Sequence, residues 1–349
     1  MRAVRYDAVG ATPELVELPE PACPPGGAVL AVHATGVCRS DWHAWAGHEP
    51  VPLPHVPGHE MAGHVVSVGA GVLRWRPGDR VTLPFVCGCG GCTYCAAGEP
   101  QVCPHQTQPG FTGPGTFADQ VAVHAADTNL VALPPGLDDV AAASLGCRFA
   151  TAYRAVAQHA RMQQGQWLVV HGCGGVGLSA VMIGVALGAK VLAVDVSTAA
   201  LDRARALGAD AALNASAVTG PDEIGSAVRD LTGDGAHASV DALGSATTAV
   251  ASVLSLRRRG RHVQVGLLHG AAATPPLPMD RVVAQELEVY GSHGMAAADY
   301  PAMLALMADG RLRPELLVGE VITLEEAGAA LVAMSEPPLA AGMTVVRVG

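Results

Sequence analysis

Four cysteines lie close together at spacings typical of metal ligands. Two residues separate the first from the second and the second from the third, and seven separate the third from the fourth: Cys89, Cys92, Cys95 and Cys103. Four thiolates so spaced can surround one Zn²⁺ and leave no coordination position open, as in structural zinc sites. Two disulfides or a four-thiolate iron–sulfur centre are the alternatives. We predict a structural zinc in a lobe over residues 87–104, and we assign Cys87 no role.

A second group of potential ligands lies upstream, in the stretch Ala31–Gly63. It contains a thiol, imidazoles and carboxylates: Cys38, Asp41, His43, His59 and Glu60. These are the ligand types that zinc prefers. The prolines and glycines between them indicate that turns, rather than one long helix, bring them together. A metal site is the first interpretation, and a buried cysteine with scattered surface histidines is the alternative.

A glycine-rich turn follows a predicted buried strand at Gln166–Val170. The turn, HGCGGVG at 171–177, leads into a predicted apolar helix, Leu178–Leu187, and then into a second strand, Lys190–Asp195, that ends on an acid. This order of strand, turn, helix, strand and acid is the βαβ unit of dinucleotide-binding domains. A tight turn without a ligand is the alternative.

Five residues of this turn are candidate cofactor contacts: Gly172, Gly174, Gly175, Val176 and Gly177. Gly172 permits the tight turn, Gly174 lets the backbone approach a pyrophosphate, and Gly177 lets the helix pack on its strand. The phosphate charge then meets the free amides at the start of that helix. Asp195, 18 residues after Gly177, can accept hydrogen bonds from the ribose hydroxyls and would repel a 2′-phosphate. The unit therefore predicts NAD rather than NADP.

Length and composition exclude several function classes. A chain of 349 residues exceeds the usual size of one hydrophobic core, so two domains are expected. The formal charge of −10 argues against nucleic acid as a partner. The run Arg257–Arg259 is expected to form a solvated helix end beside Gly260. We find no secretion signal and no apolar run of membrane-spanning length, and clustered cysteines suit a reducing compartment, so a cytoplasmic protein without membrane contact is expected.

The predicted elements divide the chain into a β-rich part and an α/β part. Short strands broken by Gly and Pro turns over about the first 130 residues predict a small antiparallel barrel or sandwich. Beyond Pro134, Ala-rich helices over Asp138–Leu145 and Phe149–Ala160 flank Cys147. Alternating strands and helices then predict a parallel, doubly wound sheet. A helix at Tyr300–Ala308 and a final strand at Met343–Val348 follow.

The chain resembles the zinc-dependent medium-chain alcohol dehydrogenases over essentially its whole length. Five motifs carry the resemblance, in the family's order: GVCRSDWH at 36–43, PGHE at 57–60, the cysteine lobe at 89–103, GCRFATAY at 146–153 and HGCGGVG at 171–177. The resemblance implies an α/β fold with a GroES-like antiparallel β-barrel catalytic domain, 1–148 and 296–349, and a Rossmann NAD-binding domain, 149–295. It also implies two zinc ions per chain and a homodimer or homotetramer.

The same resemblance implies roles for residues near the metal. Cys38, His59 and Cys147 would bind a catalytic zinc. Cys147 lies 88 residues beyond His59, and an ordinary buried thiol is its alternative. Glu60 looks like the family's neighbouring acid, a possible transient zinc ligand. Asp41 looks like the carboxylate that orients His59, with a loop cap as the alternative.

Further roles follow from the motif around Cys38. Ser40 and His43 resemble the family's proton relay, since the unperturbed pKa of histidine is near neutrality. Arg39 would contact the cofactor pyrophosphate. Phe85 matches a position in the wall of the substrate pocket, and Trp42 is a further candidate there.

Two positions depart from the family pattern near the cofactor. Family members often carry a lysine at the position of Ala200, and many carry a basic residue at the position of Met343. Both changes remove positive charge close to the adenosine ribose or the phosphates, so they put cofactor affinity in question. Arg203 is predicted to compensate, and Gly266 completes the predicted cofactor contacts.

The sequence as a whole predicts an NAD-dependent, zinc-dependent alcohol dehydrogenase with a small-molecule substrate in the cleft between its domains. The nearest alternative is the same fold acting on a polyol, an amino alcohol or a hydroxyacyl thioester. A zinc-free enone or quinone reductase is a second alternative, against which Cys38, His59 and Cys147 argue. A non-catalytic zinc- and nucleotide-binding protein is the third.

Overall fold

A computed structural model describes residues 1–336 and 342–349. Its strands, in chain order, are β1 (Arg2–Arg5), β2 (Glu14–Glu17), β3 (Ala28–Val37), β4 (Met61–Val68), β5 (Arg80–Thr82), β6 (Gln120–Val123), β7 (Val131–Ala132), β8 (Trp167–His171), β9 (Lys190–Asp195), β10 (Ala211–Asn214), β11 (Ala236–Asp241), β12 (Leu256–Gln264), β13 (Glu288–Gly291), β14 (Val318–Thr323) and β15 (Met343–Arg347).

The α-helices, in chain order, are α1 (Arg39–Trp45), α2 (Thr93–Ala96), α3 (Ala126–Asn129), α4 (Asp139–Ala143), α5 (Ala150–Tyr153), α6 (Gly175–Ala186), α7 (Thr198–Ala206), α8 (Gly220–Thr232), α9 (Ala246–Leu254), α10 (Met279–Ala284), α11 (Tyr300–Ala308) and α12 (Leu324–Ala333). Two π-helical segments, Leu145–Phe149 and Arg154–His159, flank α5. Among the helices of the described residues, none has the length and apolar character needed to cross a lipid bilayer.

The described residues form two compact units. The first contains Met1–Ala150, Gly294–Ala308 and Pro314–Gly349, and the second contains Thr151–His293 and Asp309–Arg313. The chain therefore leaves the first unit, builds most of the second and returns, and Asp309–Arg313 adds a short segment to the second.

The first unit is built on a largely antiparallel sheet with the strand order β14-β15-β3-β4-β5-β7, and β6 also pairs with β3. Only the β14–β15 pair is parallel among the pairings described for this sheet. Buried side chains from β3, β4 and β6 form its core with Phe117 and the helix α12. The long strand β3 matters most for the site, because it ends at Val37, directly before the first potential metal ligand.

The second unit is built on a parallel sheet with the strand order β10-β9-β8-β11-β12-β13. This order places β8 and its glycine-rich turn at the centre, as in doubly wound dinucleotide-binding folds. The central strands are almost continuously apolar and buried, as parallel strands covered on both faces must be. The predicted fold class, an antiparallel β-domain with a doubly wound α/β domain, is confirmed.

Several predicted elements agree with the structure, and others do not. Strand Lys190–Asp195 and helix Tyr300–Ala308 have the predicted bounds. The prediction of a helix end at Arg257–Arg259 is wrong, because these residues lie in strand β12 between β11 and β13. Ion pairs accommodate the charge there: Arg259 pairs with Glu286 on the next segment. A strand was predicted over Arg261–Leu267, and the buried Leu256 shows that it begins before the three arginines.

Candidate metal centre and cofactor turn

Cys38 is placed by the junction of β3 and α1. It is buried and has the extended backbone of an N-cap residue (φ −116°, ψ 153°). Its N–H donates to Asp41 Oδ2 at 3.0 Å, which closes the first turn of the helix around it. The cap thus fixes the direction of the thiol as well as the start of α1.

Asp41 also fixes the orientation of His59. Its fully buried Oδ1 accepts hydrogen bonds from His59 Nδ1 at 2.7 Å and from Gly58 N–H at 3.1 Å. With Nδ1 engaged, Nε2 presents its lone pair. Among the described residues, Nε2 of His59 is buried without a hydrogen-bond partner. A buried, unpartnered imidazole nitrogen oriented by a carboxylate is the arrangement of a metal-binding histidine.

Cys147 reaches the same place from a π-helical turn after α4. Asp138 caps α4 by accepting from the N–H groups of Val140 and Ala141. The Gly146 carbonyl then accepts from Phe85 N–H at 2.9 Å and anchors the turn. As a result, one ligand atom each from Cys38, His59 and Cys147 lie within 4.8 Å of one another, and all three residues are buried.

The two thiols of this trio interact directly with each other. A hydrogen bond with Cys147 lowers the pKa of the Cys38 thiol well below its ordinary value, and the same contact raises the pKa of the Cys147 thiol. Two thiolates would neutralise Zn²⁺ with one imidazole as third ligand, which leaves a fourth position for water or substrate. The residues present therefore fit a catalytic zinc.

Glu60 lies next to this trio and is held by Arg148. Glu60 Oε1 accepts from Arg148 N–H at 2.9 Å and from Arg148 Nε at 3.1 Å, while Oε2 accepts from Nε and Nη2. Arg148 Nη1 donates in turn to the Val37 carbonyl at 3.2 Å. Both side chains are buried. Burial raises the pKa of Glu60, and the Arg148 charge opposes that rise.

Of the two predicted pocket residues, the structure brings one to the candidate metal ligands. Phe85 is buried in a cluster with Cys38, Val86 and Cys147, and its ring meets the His59 ring edge-on at 5.9 Å. Trp42 instead packs beneath the Arg39 guanidinium at 5.0 Å. Its Nε1–H donates to Ser335 Oγ at 2.9 Å, just beyond α12.

The remaining predicted residues of this motif lie on α1. The Arg39 guanidinium donates to the Met334 carbonyl. Ser40 Oγ lies 3.9 Å from Cys38 Sγ, beside the metal ligands. His43 follows one turn later, with its Nδ1 3.0 Å from His48 Nδ1. Ser40 and His43 are half-buried and share a face of the helix by their spacing.

The four-cysteine lobe brings its sulfurs together as the spacing predicted. Cys92 Sγ lies 3.5 Å from Cys95 Sγ and 3.6 Å from Cys103 Sγ, and Cys89 Sγ lies 4.0 Å from Cys95 Sγ. These separations exceed the length of about 2.05 Å of a disulfide bond. The four sulfurs fit one tetrahedral ion. Cys87 stands apart in the hydrophobic core, where burial raises its pKa to about 12.

The glycine-rich turn of the second unit has the features that a dinucleotide requires. Gly172 has φ +88°, and a Cβ on Gly177 would lie 1.8 Å from the Gly172 carbonyl oxygen. Helix α6 begins at Gly175 without a side-chain cap, so its first amides are not engaged by a capping side chain. A Cβ on Gly174 would meet open space. Free amides at an uncapped helix start are a phosphate-binding surface.

Asp195 closes this turn at the end of β9. Its Oδ2 accepts from Cys173 N–H at 2.6 Å, and its Oδ1 accepts from Ser197 N–H at 2.8 Å. The carboxylate is half-buried beside the turn. Arg203 lies on α7, one turn beyond the buried Ala200. Met343 is buried at the start of β15, in the first unit.

Sequence reasoning missed two functional candidates. One is Arg148, which the sequence could have indicated. Glu60 was expected beside two thiolates, and a buried carboxylate in such a place needs a nearby cation. The other is Asp241, a fully buried acid at the end of β11. A single acid inside a predicted strand, Ala238–Leu243, gave no distinguishing pattern.

Comparisons with known proteins find relatives over most of the chain. Residues 24–135 match the alcohol dehydrogenase GroES-like domain, and residues 175–309 match the zinc-binding dehydrogenase family. The NAD-dependent alcohol dehydrogenase of Sulfurisphaera tokodaii is 33% identical over 343 residues, 95% of each chain. A sorbitol dehydrogenase of Halalkalibacterium halodurans is 32% identical over 316 residues, 89% of each chain. The solved structure of an alcohol dehydrogenase from Thermus sp. ATN1 is 31% identical, with a TM-score of 0.91 over the whole of both chains.

Proposed function

Because the chain belongs to the zinc-type medium-chain dehydrogenase/reductase family and is an alcohol oxidoreductase, we propose that it interconverts an alcohol and its aldehyde or ketone with zinc and NAD. The observation that carries this proposal is the buried trio Cys38, His59 and Cys147. Within the described residues, Nε2 of His59 has no hydrogen-bond partner and is available to a metal ion. A zinc bound by this trio supplies Lewis acidity, which favours loss of the alcohol proton.

The surrounding residues prepare the trio for that chemistry. Asp41 orients the imidazole and fixes its tautomer. Phe85 packs against the trio and covers one side of it with an apolar ring. Arg148 holds the Glu60 carboxylate, which is the candidate for transient ligation when substrate and water exchange.

The proposed route for the alcohol proton starts at Ser40. Its hydroxyl lies beside Cys38, so it is placed to accept a proton from a substrate at the metal. His43, on the same face of α1, is placed to pass the proton to solvent. The His48 ring beside His43 extends this route towards the exposed surface.

The second unit is proposed to bind NAD, which supplies the hydride acceptor. The uncapped start of α6 would bind the pyrophosphate, with Gly174 leaving room for its approach. Asp195 would accept hydrogen bonds from the ribose hydroxyls and repel a 2′-phosphate. The similarity to a relative named as NAD-dependent supports the same choice. We also propose that Arg39, Arg203 and Gly266 complete the cofactor contacts.

Two zinc ions per chain are proposed, because the cysteine lobe forms a second, four-sulfur site without an open position. The reduced thiols that both sites require suit a cytoplasmic location. The predicted domain division, 1–148 with 296–349 and 149–295, and assembly into homodimers or homotetramers stand as proposals from the family resemblance.

A polyol is the second candidate substrate, because one relative is named as a sorbitol dehydrogenase. The test is NAD reduction with ethanol, 2-propanol, benzyl alcohol and sorbitol, with NADP as the comparison cofactor. The proposal predicts turnover with NAD that Cys147→Ala abolishes and Cys87→Ala preserves. Reduction of enones that is equally fast in Cys147→Ala would contradict it and favour a zinc-free reductase.

A further inference from the structure

We propose that Asp241 is a positioning residue for the cofactor: it fixes the turns after β11 and β12, and through them the main chain at Gly266. This inference rests on the proposed binding of NAD by the second unit. Asp241 acts through these turns, so its removal is expected to weaken the binding of NAD and leave the metal sites intact.

The strand register brings three turns to one edge of the sheet. Asp241, the last residue of β11, pairs with His171 at the end of β8 on one side. It pairs with Gln264 at the end of β12 on the other. In a parallel sheet of this order, ligands bind outside the carboxyl ends of the strands. Asp241 therefore sits centrally between the glycine-rich turn and the turn that contains Gly266.

The Asp241 carboxylate accepts four hydrogen bonds from three segments of the second unit. Oδ1 accepts from the N–H groups of Leu243 and Gly244, each at 3.0 Å. Oδ2 accepts from Thr248 Oγ1 at 3.1 Å and from Gln264 Nε2 at 2.9 Å. One side chain thus joins the turn after β11, the start of α9 and the end of β12.

The same residue anchors both polar groups of Gly266. The Asp241 carbonyl accepts from Gly266 N–H at 2.8 Å and from Val265 N–H at 3.0 Å. The Gly266 carbonyl accepts from Gln264 Nε2 at 2.8 Å, the same nitrogen that Asp241 Oδ2 holds. The two peptide groups that flank Gly266 are therefore held by Asp241, directly at the N–H and through Gln264 at the carbonyl.

Glycines let these turns touch along the main chain. A Cβ on Gly266 would lie 2.2 Å from Gly244 N, and a Cβ on Gly244 would lie 2.3 Å from the Leu267 carbonyl oxygen. Next to them, a Cβ on Gly172 would lie 3.0 Å from Leu243 Cβ. The glycine-rich turn thus rests on the turn that Asp241 holds, so a shift of one turn displaces the other.

Burial of the Asp241 carboxylate without a cation is destabilising. A residue that served only to hold the fold would not need a charged side chain here. Asp241 is fully buried, and among the ion pairs of the described residues none includes it. Burial raises its pKa, and the hydrogen bond from Gly244 N–H is the largest effect that lowers it. A buried carboxylate stabilised only by neutral donors is expensive for stability. We infer that the four hydrogen bonds of Asp241 serve to make the edge of the sheet that faces the cofactor rigid.

The test compares Asp241→Asn with Asp210→Asn in the full chain loaded with zinc. Asp210 accepts a hydrogen bond from Val191 N–H at 2.8 Å. It lies at the same parallel sheet as Asp241, but at the amino ends of the strands, away from the proposed cofactor site. Because the asparagine presents an N–H₂ group to some of the four donors, we expect the Kd for NADH and the KM for NAD to rise about tenfold. In Asp241→Asn the KM for the alcohol and the zinc content should stay within about twofold of the wild-type values. In Asp210→Asn these two values, the Kd for NADH and the KM for NAD should all stay within about twofold of the wild type.

A second variant keeps the inference testable if Asp241→Asn fails to fold. Gln264→Leu removes the link between Asp241 and the Gly266 carbonyl and retains the bonds to Leu243 and Gly244. We expect a several-fold rise in the Kd for NADH. The inference would be overturned if the folded variant has a lowered thermal midpoint but an unchanged Kd for NADH. This applies to either variant, Asp241→Asn or Gln264→Leu. Absence of NADH binding by the wild-type chain would instead overturn the proposed function.

Discussion

Arg148 binds both carboxylate oxygens of Glu60 with its own main-chain N–H and its guanidinium, in the buried layer next to the candidate metal ligands. The pair occupies space that only a glycine leaves: a Cβ on Gly36 would lie 1.9 Å from Glu60 Oε2 and 2.4 Å from Arg148 Nη2. Because Arg148 directly follows Cys147, the ion pair ties the third candidate metal ligand to the segment that carries His59 and Glu60.

Removal of the Arg148 side chain should be strongly destabilising. In Arg148→Met the Glu60 carboxylate stays buried without its cation, so we expect the free energy of unfolding to fall by about 3–5 kcal/mol. The double variant Glu60→Gln/Arg148→Met should recover part of this loss, since neither remaining group is charged. Urea unfolding measures both.

The matched control is an exposed ion pair of the same type. Arg259 and Glu286 keep 75% and 69% of their side-chain surface exposed, so Arg259→Met should cost at most about 1 kcal/mol. Equal losses in Arg148→Met and Arg259→Met would show that burial of the Glu60–Arg148 pair has no special weight.

The two zinc sites should be separable by single cysteine substitutions. Cys92→Ser removes one sulfur of the four-cysteine lobe, so bound zinc should fall from about two ions per chain to about one, and the thermal midpoint should drop. Cys87→Ala alters a thiol that donates to the Pro84 carbonyl at 3.6 Å in the core, and it should keep both ions. Elemental analysis of the purified variants decides this, and loss of zinc from Cys87→Ala would place Cys87 among the ligands.

Acid should destabilise the second unit through two buried histidines. Burial lowers the pKa of His171 to about 3 and that of His262 to about 4, with each ring against a serine hydroxyl, of Ser255 and Ser252 respectively. Both are neutral in the folded chain and take up protons near pH 6.5 when unfolded. Their contribution is thus complete above pH 6.5 and is lost as pH falls towards 4.

The variant His262→Gln isolates one of these contributions. Between pH 6 and 4.5 the wild-type free energy of unfolding should fall more steeply than that of the variant, by about 1.4 kcal/mol per pH unit. The exposed His48 serves as control, because His48→Gln should preserve the wild-type slope. Parallel slopes for His262→Gln and the wild type would mean that His262 is protonated in the folded chain.

The proposed proton route predicts a distinct kinetic effect for His43. His43→Ala should lower kcat for alcohol oxidation near pH 7 by about 10²-fold and leave the Kd for NADH unchanged. Added imidazole should restore part of the rate, since a small base can replace the missing ring. If kcat and its pH profile match those of the wild type, the proton leaves by another route.

The sequence was most informative where the chemistry is local. The spacing of Cys89 to Cys103 predicted a four-sulfur cluster, and the turn at 171–177 predicted a dinucleotide surface, because each lies within a few residues of chain. Helix α1 was missed, since the density of glycine and proline around Arg39–Trp45 concealed its capped first turn.

Features made by distant segments could not be derived from spacing. Cys147 was assigned only through the family resemblance, because 88 residues separate it from His59. The partner of Glu60 depends on how the π-helical turn meets the start of β4, which no local pattern encodes. Asp241 acts through the register of three strands, and register appears only when the sheet is assembled.

The proposed activity depends most directly on a catalytic zinc at Cys38, His59 and Cys147. The decisive measurement follows zinc content and NAD reduction in the same sample while a chelator removes the metal and zinc is then restored. We predict about two zinc ions per chain, activity that disappears with the loss of one, and recovery when that ion returns. Full activity after removal of all zinc would contradict the account.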